Sequence, residues 1–216
     1  KTTRRLSPSS EKMSHSLRYA IVYQGDYPPK LPSAGARRVK DICRGLAAAG
    51  GDVSMLVPSH FGLRRREQDT FNVVGLGTRQ EAPTLRSRLK FWSEVPQSVA
   101  ELDADFTLFY DTTIDSIQAM RRIRSSGRHV GYELCDILST NQPVSPRKAA
   151  YLLAERFLPG NSHLNIVITR KIADWIESVA PKSQLLLVPG LFDTDTFVRD
   201  VDAGTRFRSQ HKVGAD

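Results

Sequence analysis

Cysteine is scarce. Cys43 and Cys135 are the only two in 216 residues, too few to staple a small secreted scaffold and in keeping with a reducing compartment. No stretch approaches the roughly 18 apolar residues that span a bilayer. The opening segment 1–16, KTTRRLSPSSEKMSHS, lacks the apolar centre of a secretory signal. Fourteen glycines and twelve prolines are about 12% of the chain, ordinary usage that excludes collagen-like and low-complexity architectures. With 40% hydrophobic and 25% charged residues, the composition is that of a globular protein. The expectation is a soluble, cytoplasmic, basic chain.

Several chemical signatures are missing as well. A dinucleotide fingerprint needs G-x-G-x-x-G after a strand, so that the backbone can meet a pyrophosphate. Gly75-Leu76-Gly77 comes nearest, but Gln80 occupies the third glycine position. The chain has no G-x-x-x-x-G-K-[ST], no H-E-x-x-H, no G-x-S-x-G and no paired-cysteine metal spacing, and its five histidines are scattered. Nicotinamide-dependent, P-loop, hydrolase-elbow and zinc chemistries therefore fall away, and no metal ligand set is expected.

What is present is positive charge and a regular alternation of elements. The net charge is +8, and 22 of the 31 basic residues are arginine, a side chain suited to carboxylate and phosphate partners. Up to residue 100 the count is 17 basic to 8 acidic, and thereafter 14 to 15. The excess thus lies in the first half. A solvated basic face stands as one reading, and an anionic membrane or phosphorylated ligand as another. Nucleic acid is disfavoured, because no basic platform interleaved with aromatics appears.

Short apolar runs at 17–23, 53–57, 71–76, 105–110, 129–134, 165–169 and 184–188 read as strands. Helical spacing marks 36–49, 85–102, 114–125, 146–157 and 172–179, with Gly50-Gly51 stopping the first helix and Pro96 breaking the second. Near-continuous apolar strands alternating with helices imply an α/β fold, a doubly wound, mostly parallel, seven-stranded Rossmann-like sheet. Segment 1–16 reads as a flexible tail, 17–197 as the domain, and 198–216 as a linker or the start of something further.

Ligands of such sheets bind at the carboxyl ends of the strands, near the switch in strand order. After the first strand, Ser33-Ala34-Gly35-Ala36 brings small residues to a helix N-terminus, where free N–H groups and the helix dipole favour an anion such as a diphosphate. Arg37 and Arg38 lie in the same first turn, where that dipole disfavours cations, and an anionic ligand would offset the penalty. A serine-capped helix with two solvated arginines is the competing reading. Other strand ends carry Tyr110-Asp111-Thr112 and Glu133, Cys135 and Asp136, polar groups suited to a sugar. Asp111 also fits a simple helix cap. Cys43 reads as core packing. The basic stretches 62–66 and 85–92 mix cations with apolar residues in a way that suits an anionic lipid surface or an ordinary packed helix.

These residues resemble a known family. YPPKLPSAGARRVKDICRGLAAAGGDVSMLV is similar to the opening of the N-terminal domain of retaining family 4 glycosyltransferases of the GT-B fold. Asn165-Ile166-Val167-Ile168-Thr169 resembles the strand before the family's inter-domain passage. Leu187-Val188-Pro189-Gly190-Leu191-Phe192-Asp193 with Phe197 resembles the passage itself, "I-P-N-G-V-D-x-x-x-F". The similarity runs over 17–197. Departures are specific: Ala34 replaces the first glycine of the Gly-Gly turn, Gly51 a histidine before the second strand, Tyr110 a histidine after the fourth, and Cys135 the histidine of a His-Asp pair whose Asp136 is kept.

The resemblance implies an acceptor-binding domain that works with a C-terminal, donor-binding one. The pair would transfer a sugar from a nucleotide-diphosphate sugar to a glycan, lipid-linked or glycolipid acceptor, as in polysaccharide biosynthesis. It would do so with retention of configuration, without a metal and without a cofactor beyond the nucleotide-sugar co-substrate. Gly35 would face the donor diphosphate, Arg38 would contact phosphate or acceptor, and Tyr110, Asp111 and Asp136 would lie near the sugars. The catalytic residues stay open, with Tyr110 and Asp111 the nearest candidates. Contact with anionic lipid on the cytoplasmic face fits the same picture. A non-catalytic Rossmann-like binding module is the alternative.

Overall fold

Strand β1 (Arg18–Val22) is the middle of the molecule, and the chain builds outward from it in both directions. The computed structural model describes residues 16–25, 33–58, 65–68, 70–77, 84–110, 113–189, 206 and 210. The flexible tail expected at 1–16 lies outside these except for Ser16, as do Asp111, the passage from Gly190 to Phe197 and nearly all of 198–216.

From β1 the chain forms α1 (Ala34–Ala48), β2 (Asp52–Pro58), β3 (Arg65–Gln68), β4 (Phe71–Leu76), α2 (Leu85–Glu101) and β5 (Phe106–Phe109). Then follow α3 (Ser116–Ser125), β6 (His129–Leu134), a 3-10 turn at Leu138–Asn141, α4 (Pro146–Asn161), β7 (Leu164–Val167), α5 (Arg170–Val179) and β8 (Gln184–Leu187). All seven expected strands are present and mutually parallel. The order across the sheet is β3-β4-β2-β1-β5-β6-β7-β8. The sequence reading missed β3, which runs antiparallel to β4 at one edge.

Alternation along the strands divides the core, since successive side chains point to opposite faces. Ile21, Met55, Val57, Val73 and Leu108 pack with Ala36, Val39 and Cys43 of α1 on one face. Ala20, Val22, Leu56 and Phe109 pack on the other face with residues of α2, α3, α4 and α5. Cys43 is fully buried on the first of these faces, as its place on the apolar face of α1 predicts. Helix α1 ends where expected. Gly50 takes the left-handed conformation (φ 88°) and donates its N–H to Ala47 O at 2.9 Å. Gly51 follows, and a Cβ there would come within 2.6 Å of the Tyr19 ring. That ring occupies the space that any larger residue at position 51 would need.

One expectation about α2 is corrected, and of the two readings of 85–92 the packed helix is the one its buried face supports. The helix runs through Pro96 without a break. Phe91, Trp92, Val95 and Val99 are buried on both sides of the proline, so packing holds both segments to one axis although proline removes one backbone hydrogen bond. Phe91 and Trp92 are 0% and 4% exposed, meet each other edge to face, and Trp92 stacks on Phe109, so they are core and not a lipid-facing edge. Leu85 and Leu89 of the same segment do face outward. Of the other basic stretch, 62–64 lies outside the described residues and Arg65 and Arg66 belong to β3.

Candidate functional site

The sheet reverses its strand order at β1, whose neighbours are β2 on one side and β5 on the other. The carboxyl ends of β1, β5 and β6 meet the N-terminus of α1 at this point. The local reasons are plain in the sequence. Ser33 caps α1, its Oγ accepting the Ala36 N–H at 3.1 Å. Tyr110 directly follows β5, and Glu133 lies one residue before the end of β6.

Arg38 and Glu133 form the centre of the cluster. The guanidinium donates through Nε to Glu133 Oε1 at 2.5 Å and through Nη2 to the Val188 carbonyl at 3.3 Å. The two side chains are 11% and 0% exposed. Burial raises the Glu133 carboxyl above the usual carboxylate range, against the pull of Arg38. Its second oxygen, Oε2, is buried with no hydrogen-bond partner among the described residues, which adds to the cost of the charged form. The anion that offsets the cation in the first turn of α1 is therefore one of the protein's own. Arg37 is exposed and Arg38 is half-buried.

Tyr110 bridges the cluster to the helix. Its hydroxyl accepts from Cys135 Sγ at 3.4 Å, and that sulfur lies 4.0 Å from Glu133 Oε1. The Tyr110 ring meets the Tyr23 ring edge to face at 5.8 Å. A Cβ placed on Gly35 would lie 3.4 Å from the Tyr110 hydroxyl, ordinary contact. Burial, followed by Cys135, pushes the Tyr110 hydroxyl well above its usual range, and burial likewise raises the Cys135 thiol. Both stay protonated at neutral pH, so Tyr110 can donate or accept a hydrogen bond but cannot serve as a base.

Gly35, Arg38 and Tyr110 are thus brought together by the fold. Asp136 sits at the same edge, exposed, one residue beyond Cys135. Asp111 lies outside the described residues. Glu133 and Cys135 are the members that sequence reasoning named only in passing. The signal for Glu133 was a carboxylate between Tyr132 and Leu134 in a strand whose residues 130–134 are all buried. Among the described residues no three His, Cys, Asp or Glu side chains are grouped so as to hold a metal ion. No described helix is long and apolar enough to cross a membrane.

Comparison with known proteins is consistent with this geometry. The family model described as a glycosyl transferase 4-like domain matches residues 33–190. No curated protein matches the chain by sequence. Among solved structures, a sucrose-phosphate synthase from Thermosynechococcus elongatus superposes with a TM-score of 0.59 at 15% identity, covering 90% of this chain and 99% of that one. A transferase from Siraitia grosvenorii in complex with UDP gives 0.53 at 9% identity, covering 93% and 56%. A UDP-GlcNAc 2-epimerase from Methanocaldococcus jannaschii gives 0.50 at 12% identity, covering 80% and 45%. The chain therefore spans about half the length of these last two structures. At such identities the similarity describes the fold.

Proposed function

This chain belongs to the glycosyl transferase 4-like domain family, and we propose that it is the acceptor-binding domain of a retaining, GT-B type glycosyltransferase. The donor is a nucleotide-diphosphate sugar, and the acceptor a glycan, lipid-linked or glycolipid molecule. The observation that carries this reading is the convergence of Gly35, Arg38, Tyr110 and Glu133 at the switch point of a doubly wound sheet, where such folds hold their ligands. The UDP in the Siraitia grosvenorii structure favours a nucleotide sugar as co-substrate.

On this reading the backbone of Gly35 and the free N–H groups of α1 face the donor diphosphate. Arg38, fixed by Glu133, contacts phosphate or acceptor beside them. Tyr110, Asp111 and Asp136 contact the sugars, and no metal or further cofactor takes part. A second, donor-binding domain completes the enzyme, which works at the cytoplasmic face of a membrane through peripheral contact with anionic lipid.

A non-catalytic binding module is the second reading. It is favoured by Tyr110 and Cys135, both held protonated by burial where the resembled family carries histidines. The test has two parts. The chain is titrated calorimetrically with UDP, GDP and glycan acceptors, and sugar transfer by the complete gene product is followed by mass spectrometry. Transfer with retained anomeric configuration is the expected result. Acceptor binding without transfer from any nucleotide sugar would establish the module instead.

A further inference from the structure

Helix α4 carries two faces of different character. Ala154, Glu155, Leu158 and Pro159 are buried against the domain. The opposite stripe, Ala149, Leu152, Leu153, Arg156, Phe157 and Gly160, recurs at helical spacing and is exposed. Leu152, Leu153 and Phe157 are 51%, 45% and 43% exposed, and Val144, just ahead of the helix, is 97% exposed. A monomeric protein rarely leaves such a row uncovered without a use for it.

The stripe runs into a cavity. At the C-terminal end of α4, Arg124, Gly160, Ser162, Lys182 and Ser183 line a space of about 320 Å³ that no acidic side chain borders. Arg124 is held at its rim by a 3.2 Å bond to the Gly160 carbonyl, and Arg121 reaches Asn161 Oδ1 at 3.1 Å. The one acidic residue of α4, Glu155, is buried and accepts from Ser139 N at 3.0 Å and Ser139 Oγ at 2.5 Å. What faces outward is therefore aliphatic and aromatic surface flanked by Arg121, Arg124, Arg156 and Lys182. A lipid bilayer with anionic headgroups is the partner of matching chemistry. Acyl chains accept the apolar stripe, and headgroup phosphates meet the cations. The aliphatic character of Leu152 and Leu153 argues against nucleic acid, which calls for stacking platforms.

We infer that the outer face of α4 and the adjoining Arg124–Lys182 cavity bind an anionic lipid surface. This deepens the membrane contact proposed above by giving it a location. It is tested without a sugar donor, so failure of transferase activity and failure of lipid binding are separate results. The 216-residue chain is sedimented with phosphatidylcholine vesicles with and without phosphatidylglycerol. Binding should require phosphatidylglycerol and weaken with salt. Phe157→Glu should reduce it about tenfold or more, and Arg124→Ala or Lys182→Ala about fivefold each. Leu85→Glu, on the outer face of α2, should leave it unchanged. All four positions are exposed, and circular dichroism checks that each variant is folded. Equal binding to neutral vesicles, or full binding by Phe157→Glu, overturns the proposal. So does a concentration-dependent dimer, seen by light scattering and abolished by Phe157→Glu, in a chain that ignores vesicles.

Discussion

Arg38 Nε meets Glu133 Oε1 at 2.5 Å across 95 residues of sequence, joining the first turn of α1 to the end of β6. Both side chains are largely withdrawn from water, so each depends on the other. Removing one partner of such a pair strands a buried charge and costs about 3–5 kcal/mol, whereas replacing both with apolar groups is often nearly neutral. Arg38→Met should therefore be strongly destabilising, and Arg38→Met with Glu133→Leu should recover most of the loss. Urea unfolding of the single and double variants measures this. A cost below about 1 kcal/mol for Arg38→Met would show that the pair does not anchor the site.

Gly35 separates stability from ligand approach. A methyl group there would rest in ordinary contact with Tyr110, and alanine is the better helix former by up to about 1 kcal/mol. Gly35→Ala should fold at least as well as the parent. If the backbone faces a diphosphate, the same change should raise the apparent donor KM about tenfold, or ~1.4 kcal/mol. Unchanged donor kinetics in the complete enzyme would remove Gly35 from the site.

Helix α2 supplies a contrast between neighbours. Phe91 is fully buried and Leu89 is 52% exposed. Phe91→Ala should cost about 3–5 kcal/mol, and Leu89→Ala should stay within about 0.5 kcal/mol. Chemical denaturation of the two variants checks the assignment of the two sides of α2.

His163 gives the domain a pH dependence. Its Nδ1 accepts the Val130 N–H at 3.1 Å. Burial, then Arg124, then His129 hold its imidazole below the ordinary 6.5. The folded state thus takes up this proton less readily than the unfolded one. The associated stability is complete above the unfolded value and is lost as pH falls through it toward the folded value. The melting temperature should drop between about pH 7.5 and 5.5. In His163→Asn, which keeps an acceptor near Val130, the drop should shrink. An identical pH profile in that variant would rule His163 out as its source.

The sequence made the sheet legible because its strands are buried on both faces and so read as unbroken apolar runs. Strand β3 escaped for the opposite reason. Arg65-Arg66-Glu67-Gln68 has no apolar residue, and only its partner β4 makes it a strand. Pro96 misled because local propensity argues for a break while tertiary packing of Phe91, Trp92 and Val99 overrides it. Arg38 was visible as a cation in a helix's first turn, but its partner was not, since Glu133 lies 95 residues away. The window charge of the second half hid the cations of α3 and α4. Of its acidic residues, Glu133 and Glu155 are buried, and five fall at 193–216, outside the described structure.

The central position of β1 also bears on how the chain assembles. β3 and β4 form the one hairpin-like pairing among the described strands, and every other pairing closes a much longer loop. The longest is between β1 and β5, where Arg18 and Asp105 exchange hydrogen bonds across 87 residues. Contacts that distant repay their loop-closure entropy late. The sheet is in effect two ribbons, β3-β4-β2-β1 and β5-β6-β7-β8, joined along that single seam. Tyr110 and Glu133 stand on one ribbon, Gly35 and Arg38 on the helix that follows β1 in the other. The binding edge comes into existence only when the seam closes, so a chain that has formed either ribbon alone has secondary structure but no site.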